Sequence, residues 1–436
     1  MRQLLSVLGW IMAACIARGA TDWPQFRGPH ADGTSDAKNP PLAWSETNNI
    51  AWKVPVMGRG RSSPVLLGDK LWLTTAEEKG VQRTRIGSDD MQTAEHIGLA
   101  VVCLSRATGK ILWKTRLDEV EKPDPVHWYN SWATPTPVVE AGRLYCDFGT
   151  YGTFALKAST GKLLWQRRLP LDHQVGPGSS PVLYQNRLIL VRDGRDAQYV
   201  AALDKTTGQP LWKTERPPLD TSNGDLKKCF VTPMLVRNGG RTQLISPGAH
   251  WVVSYDPATG EEFWRLRHGQ GFSIGSCPVF GYGMAFFSTG CFKPQLCAVN
   301  VDGAGDVTDS KLVWKSLRQV PVMSSPVLVG KEIYWVSDDG MASCADALTG
   351  EIRWQERLGG LHLASPVSAA GRLYFFGQDG KTTVVKIGTQ FERLAENVLP
   401  GPLVATPAVV DGAIFLRTDS AVYRIDNLGT RRPKQL

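Results

Sequence analysis

Histidine and carboxylate side chains are the groups in this chain that could act as acids, bases or metal ligands. The candidates are His127, His173, His250, His268, His362, Asp193 and Asp338. They have no local spacing that would bring three ligands to one ion, and no CxxC pair occurs, so the sequence indicates no metal site. His250 with Asp193 or Asp338 would make an acid and base pair if the fold placed them together.

Two further stretches carry charge and aromatic rings. Arg59 and Arg61 stand in "GRGRSSP", and Trp128 and Asn130 stand in "HWYNSWATP". Aromatic faces stack on sugars and planar ligands, so the second stretch indicates a carbohydrate or small-molecule site.

These residues must be positioned by a repeated element, and a tryptophan motif is the clearest repeat. "ATGKILW", ending at Trp113, recurs in related forms, with spacings of 52, 47, 52, 50 and 40 residues between successive tryptophans. The series is Trp113, Trp165, Trp212, Trp264, Trp314 and Trp354. That period is typical of a four-stranded propeller blade, in which a Thr-Gly turn precedes a strand that carries Trp.

A second repeat places Ser or Thr shortly before Pro, followed by an apolar strand. Its eight prolines are Pro64, Pro137, Pro181, Pro233, Pro278, Pro326, Pro366 and Pro407. Each opens a unit of four short strands, A to D, although the eighth unit ends without strand D. The orphan strand around Trp52 would complete that last blade, which predicts an all-β, eight-bladed β-propeller over residues 41–428, after a lead segment at 21–40.

The composition and the first residues of the chain limit the possible classes of function. The 436 residues include 44 Gly and 28 Pro, as expected of a turn-rich all-β protein, and the net charge of +8 is scattered, so we expect no nucleic-acid partner. Residues 1–20 have Arg2 before an apolar core and read as a signal peptide, which predicts an exported, periplasmic or cell-envelope protein. Alternatively, "MAAC" ending at Cys15 resembles a lipoprotein box, and lipidation there would give an outer-membrane lipoprotein.

Seven cysteines remain after such a leader, and most lie in apolar runs typical of buried thiols. Cys291 and Cys297, in "GCFKPQLC", are the best candidates for a disulfide in an oxidising compartment.

The Thr-Gly-Lys-x-x-Trp pattern, preceded by Cys103, Ala155, Ser254 or Cys344, resembles the docking repeat of pyrroloquinoline-quinone (PQQ)-like eight-bladed propellers. Two groups of that family differ in function: quinoprotein dehydrogenases, and the non-enzymatic propeller lipoprotein of the outer-membrane β-barrel assembly machinery. A dehydrogenase would bind PQQ with calcium and use an Asp base, and several such enzymes have two adjacent cysteines. No adjacent cysteines occur in this chain.

In a propeller of this kind the D to A and B to C loops lie on one face, and the candidates map there. His127, His173, His268 and His362 fall in D to A segments, and His96 and His250 in B to C segments. Residues 76–100 lengthen the first B to C loop and could form a lid or partner-docking loop.

We therefore expect a non-catalytic module that binds an envelope protein, or a small-molecule or carbohydrate ligand, through this face. A PQQ-dependent dehydrogenase is the alternative.

Overall fold

Short antiparallel strands make up most of the computed structural model, which describes residues 22–428. The predicted signal peptide, Cys15 and the tail 429–436 lie outside these residues. Within the described chain, no helix is long and apolar enough to cross a membrane.

Eight sheets each contain one four-stranded unit, which we number as blades in chain order. Blade 1 contains Val65–Leu67, Lys70–Lys79, His96–Ser105 and Ile111–Glu121. Blade 2 contains Val138–Glu140, Arg143–Asp147, Thr153–Lys157 and Leu163–Arg167. Blade 3 contains Val182–Tyr184, Arg187–Asp193, Gln198–Asp204 and Pro210–Glu215. Blade 4 contains Met234–Asn238, Arg241–Pro247, Trp251–Tyr255 and Glu262–Arg267, with Gly305–Asp306 added in parallel at its edge.

The second half of the chain repeats the unit. Blade 5 contains Val279–Gly281, Met284–Ser288, Leu296–Asn300 and Leu312–Ser316. Blade 6 contains Val327–Val329, Glu332–Val336, Met341–Asp346 and Ile352–Arg357. Blade 7 contains Val367–Ala369, Arg372–Phe376, Lys381–Lys386 and Arg393–Val398. Blade 8 contains Ala408–Val410, Ala413–Arg417 and Ala421–Asp426, and its fourth strand is Ile50–Pro55 from near the start of the chain.

The eight units agree with the predicted blade count, and the strand that contains Trp52 pairs with the last strand as the closure hypothesis requires. Strands B and C are almost continuously buried, whereas strand D alternates between partly buried and exposed residues, as an outer edge strand should.

The repeated tryptophans join neighbouring blades. Trp165 of blade 2 donates its indole N–H to the Lys205 carbonyl of blade 3 at 3.0 Å, and its ring lies against Gly208 in the Thr-Gly turn of blade 3. Trp52 of blade 8 contacts blade 1 in the same way, at Arg106 and Gly109. The glycine of this motif therefore provides both a positive φ and a flat surface for the indole of the preceding blade.

The lead segment packs against the inner strands of several blades. Trp23 is buried and forms a two-way backbone bridge with Leu66 of blade 1. Thr34–Ser35 pairs in parallel with strand A of blade 7. Between them, Arg27 is buried and donates to the carbonyl oxygens of Asp32 and Pro326.

Residues 76–100, which the sequence places in a lengthened B to C loop, extend strands B and C of blade 1 and add a hairpin, Gln82–Ile86 and Asp89–Thr93, that pairs with Val126–His127. One expectation of the sequence is wrong. The disulfide between Cys291 and Cys297 does not form. Both thiols are free, and Cys297 is buried in strand C of blade 5.

Two short 3-10 helices occur, Gly149–Tyr151 in the B to C connection of blade 2 and Gly224–Lys227 in the connection from blade 3 to blade 4.

Candidate functional site

A cavity of about 590 Å³ lies at the centre of the ring of blades. Its wall combines aromatic and aliphatic side chains with a few charged groups, which is the usual composition of a ligand site. The principal lining residues are Phe26, Arg61, Asp89, His127, Tyr129, Asn130, Gln174, Asp225, Lys228, Phe230, Phe272, Cys291, Phe292, Met323, Asp338, Leu361 and Leu363.

The Ser/Thr-Pro repeat builds two rings of this wall. The residue three positions before each repeat proline lines the cavity in all eight blades, and we call this set the upper ring. Its members are Arg61, Thr134, Gly178, Phe230, Gly275, Met323, Leu363 and Val404. Arg61 is the only charged residue in the upper ring.

The residue directly before each proline forms a second set, the hydroxyl ring. The backbone N–H of Ser63 donates to Thr136 Oγ1, that of Thr136 to Ser180 Oγ, and that of Ser180 to Thr232 Oγ1, each at 2.9 Å. In the same way, the backbone N–H of Cys277 donates to Ser325 Oγ, that of Ser325 to Ser365 Oγ, and that of Ser365 to Thr406 Oγ1. Six hydroxyls of this ring each accept a buried N–H of the preceding blade, which explains the Ser/Thr preference before Pro.

Other cavity residues come from loops and from the hairpin over blade 1. The hairpin turn contributes Ser88 and Asp89, and Val126–His127 pairs with its second strand. Burial lowers the pKa of His127, so the imidazole is neutral near pH 7. Lys228, whose pKa is also lowered by burial, donates to Gln174 Oε1.

Asp338 lines the opposite part of the wall. Its carboxylate accepts the backbone N–H groups of Val322 and Met323 at 3.0 and 3.2 Å. Burial raises its pKa above the ordinary value for aspartate.

The structure thus brings together four of the residues expected on this face: Arg61, His127, Asn130 and Asp338. The side chain of Asn130 holds its own loop against the loop at Val175 and Pro177, because its amide donates to the carbonyl oxygens of these two residues.

Five other expected residues do not line the cavity: four are buried and His173 is partly buried. Asp193 accepts two bonds from Arg216, at 3.1 and 2.8 Å, and His268 Nε2 lies 3.0 Å from the Gly248 carbonyl. His250 and His362 are the other buried residues, and burial of the imidazole lowers the pKa of His173 to about 3 and of His362 to about 4.

The hypothetical acid and base pair is not formed, because the Asp193 carboxylate is held by Arg216 and that of Asp338 by backbone N–H groups.

The aromatic residues of the stretch "HWYNSWATP" do not all face the cavity. Trp128 lies beneath the guanidinium groups of Arg59 and Arg83, at 5.6 and 4.3 Å from their central carbons. Arg59 pairs with Glu78 and donates to the Asn130 carbonyl, so it supports the wall from behind. Trp132 is fully buried, which leaves Tyr129 as the aromatic residue of this stretch that faces the cavity.

Sequence reasoning missed the aromatic side chains Phe230, Phe272 and Phe292, and also Lys228. One signal could have found Phe230, since it occupies the upper-ring position before Pro233. The other three stand in irregular loops, where no repeat marks the direction of the side chain.

Comparisons with known proteins agree with this fold. A family model described as outer membrane protein assembly factor BamB matches residues 98–240 and 248–393, more than half of the chain. Tetrathionate hydrolase from Acidithiobacillus ferrooxidans is 20% identical over 352 residues, covering 76% of this chain and 65% of that protein. The chain therefore spans slightly less than two thirds of the length of this curated relative.

Solved structures share the architecture at low identity. BamB from Moraxella catarrhalis superposes with a TM-score of 0.57 at 14% identity, covering 83% of this chain and 98% of that one. Quinohemoprotein alcohol dehydrogenase from Comamonas testosteroni superposes with a TM-score of 0.63 at 12% identity, covering 96% and 82%. At these identities the likeness shows the propeller fold alone.

Proposed function

The chain belongs to the PQQ-like repeat family described as outer membrane protein assembly factor BamB, and on that premise we propose that it is an exported, non-catalytic binding module of the cell envelope. Its binding site is the central cavity, and its ligand is a small molecule.

The observation that carries this proposal is the cavity itself. A space of about 590 Å³ with apolar walls and a few convergent polar groups is large enough for a drug-sized ligand. The hairpin turn at Ser88 and Asp89 forms part of its wall, so the inserted segment 76–100 contributes to the site as a partial cover.

Two observations support a role without catalysis. Asp193, the carboxylate of the acid and base candidate, is held by Arg216, and neither it nor His250 lines the cavity. Quinoprotein chemistry would also need a calcium ion held by carboxylate and amide side chains, yet among residues 22–428 no three His, Cys, Asp or Glu side chains group closely enough to hold a metal. The carboxylates of the described residues therefore do not form a calcium site by themselves.

The cavity can be tested by filling it. Leu363→Trp adds a large side chain at an upper-ring position, and Leu348→Trp adds the same side chain at an exposed position between strands C and D of blade 6. We expect the neutral fluorescent probe N-phenylnaphthylamine to bind the wild type and Leu348→Trp at one site, and to lose at least tenfold in affinity with Leu363→Trp. Equal binding by all three proteins would reject the cavity as the site.

A second titration addresses the dehydrogenase alternative. Purified protein is mixed with PQQ and calcium while absorbance and quinone-dependent dye reduction with alcohols are followed. We expect no dye reduction, and saturable oxidation of an alcohol would overturn the non-catalytic proposal.

Export has its own test. Mass spectrometry of the mature N-terminus should find a chain without residues 1–20, and a diacylglyceryl group on Cys15 would instead make the protein a membrane-tethered lipoprotein.

A further inference from the structure

Three arginines and two carboxylates form one cluster at the seam where blade 8 meets blade 1. Arg59 pairs with Glu78 at 3.6 Å, and Arg61 pairs with Asp419. Arg417 ends strand B of blade 8, is 1% exposed, and has no carboxylate within ion-pair distance in the described chain. The cluster therefore holds one positive charge in excess.

Arg417 also has donors to spare. Its Nη1 donates to Ser62 Oγ at 2.7 Å and to the Thr74 carbonyl at 2.8 Å, whereas Nε and Nη2 are buried without a partner among the described residues. Arg61 Nε is buried and unpartnered as well. Buried charges in native proteins are paired, because an unpaired buried charge strongly destabilises the fold.

The same place interrupts the hydroxyl ring. Ser63 Oγ is buried and has no hydrogen-bond partner in the described part of the molecule, although the equivalent hydroxyls of blades 2, 3 and 4 each accept an N–H of the preceding blade. Thr406, the corresponding residue of blade 8, lines the cavity. The seam thus holds guanidinium and hydroxyl donors that have no acceptor among the described residues, and Arg61 is the member of this cluster that lines the cavity.

Two of the three carboxylates of the cavity wall, by contrast, already have partners. Asp225 pairs with Arg195 at 3.1 Å, and Asp338 accepts two backbone N–H groups. The third, Asp89, lies on the hairpin turn, near His127 and Lys228.

An apolar surface belongs to the same cavity. Phe272 and Phe292 pack against each other with tilted rings whose centroids are 5.3 Å apart, and both line the wall with Phe230. Phe292 is 69% exposed and has a φ of 57°, so a large apolar side chain is held in solvent by a left-handed backbone. Such an arrangement gains stability when a ligand covers the ring.

We propose that the cavity binds an apolar small molecule carrying one oxyanion group, a carboxylate or sulfonate. The oxyanion accepts from Arg61, the member of the cluster that lines the cavity, and the apolar body lies against Phe230, Phe272 and Phe292. This inference rests on the proposed function, because it assigns the chemical class of the ligand to the same cavity.

Two matched probes test the charge requirement with purified full-length protein. Anilinonaphthalene sulfonate and N-phenylnaphthylamine share one aromatic body and differ by the sulfonate. A charged hydrogen-bond partner contributes enough to change affinity by about tenfold or more. We therefore expect the sulfonate probe to bind about tenfold more tightly, with a stoichiometry of one.

Variants locate the oxyanion. Arg61→Gln should weaken the sulfonate probe by about tenfold and change the neutral probe by less than about twofold, whereas Arg61→Lys should retain most of the preference. Arg353→Gln removes an arginine that pairs with Asp346 and Glu351 at the C to D turn of blade 6 and does not line the cavity, so it serves as the control. Phe292→Ala should weaken both probes together, since it removes apolar wall and no charge.

The outcomes separate the two proposals. If neither probe binds, or if Leu363→Trp excludes neither, the cavity function fails. If both probes bind with equal affinity and Arg61→Gln alters neither, the cavity function survives and the oxyanion inference is overturned. Inorganic phosphate should displace the sulfonate probe and leave the neutral probe bound. If phosphate binds but the protein does not prefer the sulfonate probe over the neutral one, the site binds a free inorganic anion, and the inference is again overturned.

Discussion

The contact between Trp165 and Gly208 offers a quantitative test of how the blades are held together. Gly208 has a φ of 72°, and a Cβ placed on it would lie 2.7 Å from Trp165 Cε3. Gly208→Ala therefore adds two costs: backbone strain of about 1 to 2 kcal/mol and overpacking of about 1 to 3 kcal/mol. The total expected loss of unfolding free energy is roughly 2 to 5 kcal/mol.

Gly142 separates the two costs. It has a φ of 86°, and an added Cβ would meet no atom within 4 Å. Gly142→Ala should therefore lose only the strain, about 1 to 2 kcal/mol.

A double-mutant cycle then isolates the clash. Trp165→Ala alone should cost about 3 kcal/mol, because it removes a packed indole and its bond to Lys205. In that background Gly208→Ala should lose only its strain, which gives a coupling free energy of about 1 to 3 kcal/mol.

The assay is urea unfolding followed by tryptophan fluorescence and circular dichroism, with calorimetry as a check. A specific unfolding entropy of roughly 2 cal/mol/K per residue implies a shift of only about 1 °C per kcal/mol for a domain of this size, so denaturant midpoints are the more sensitive measure. Two results would refute the reasoning: a Gly208→Ala penalty no larger than that of Gly142→Ala, or the same penalty in the Trp165→Ala background.

Three further predictions concern buried groups. The unfolding free energy should decrease as the pH falls below about 6.5, because histidines that stay neutral in the folded protein take up protons on unfolding. Three such groups give a slope of roughly 4 kcal/mol per pH unit, until the folded groups themselves titrate near pH 4. A urea midpoint that does not change between pH 7 and 5 would contradict this. These three are His173, His268 and His362, whose pKa values burial lowers to about 3, 4 and 4. Arg192→Met should cost about 3 to 5 kcal/mol by leaving Asp147 buried without its partner, and the additional change Asp147→Leu should recover most of that loss in urea unfolding. Among the seven described cysteines, a thiol reagent should modify at most Cys291 in the native protein and all seven in guanidinium; fewer than seven would reveal a disulfide.

The repeat is visible in the sequence, and it was enough to predict most of the fold. Tryptophans at blade spacing, prolines that open strand A, and an orphan strand around Trp52 were enough to predict four-stranded units and a closing pair between the chain's two ends. This succeeded because each blade needs the same local chemistry at the same positions: a turn glycine, an indole and a hydroxyl before proline.

Tertiary structure alone decided which side chains face the cavity. Arg61 and Asp338 do so, whereas His268, in a D to A loop, and Asp193, at the end of strand B of blade 3, are buried in contact with Gly248 and Arg216. The physical reason is that a loop side chain takes its environment from neighbouring blades that are distant in sequence. The excess charge at the seam shows this most clearly, because it arises where strands from opposite ends of the chain meet.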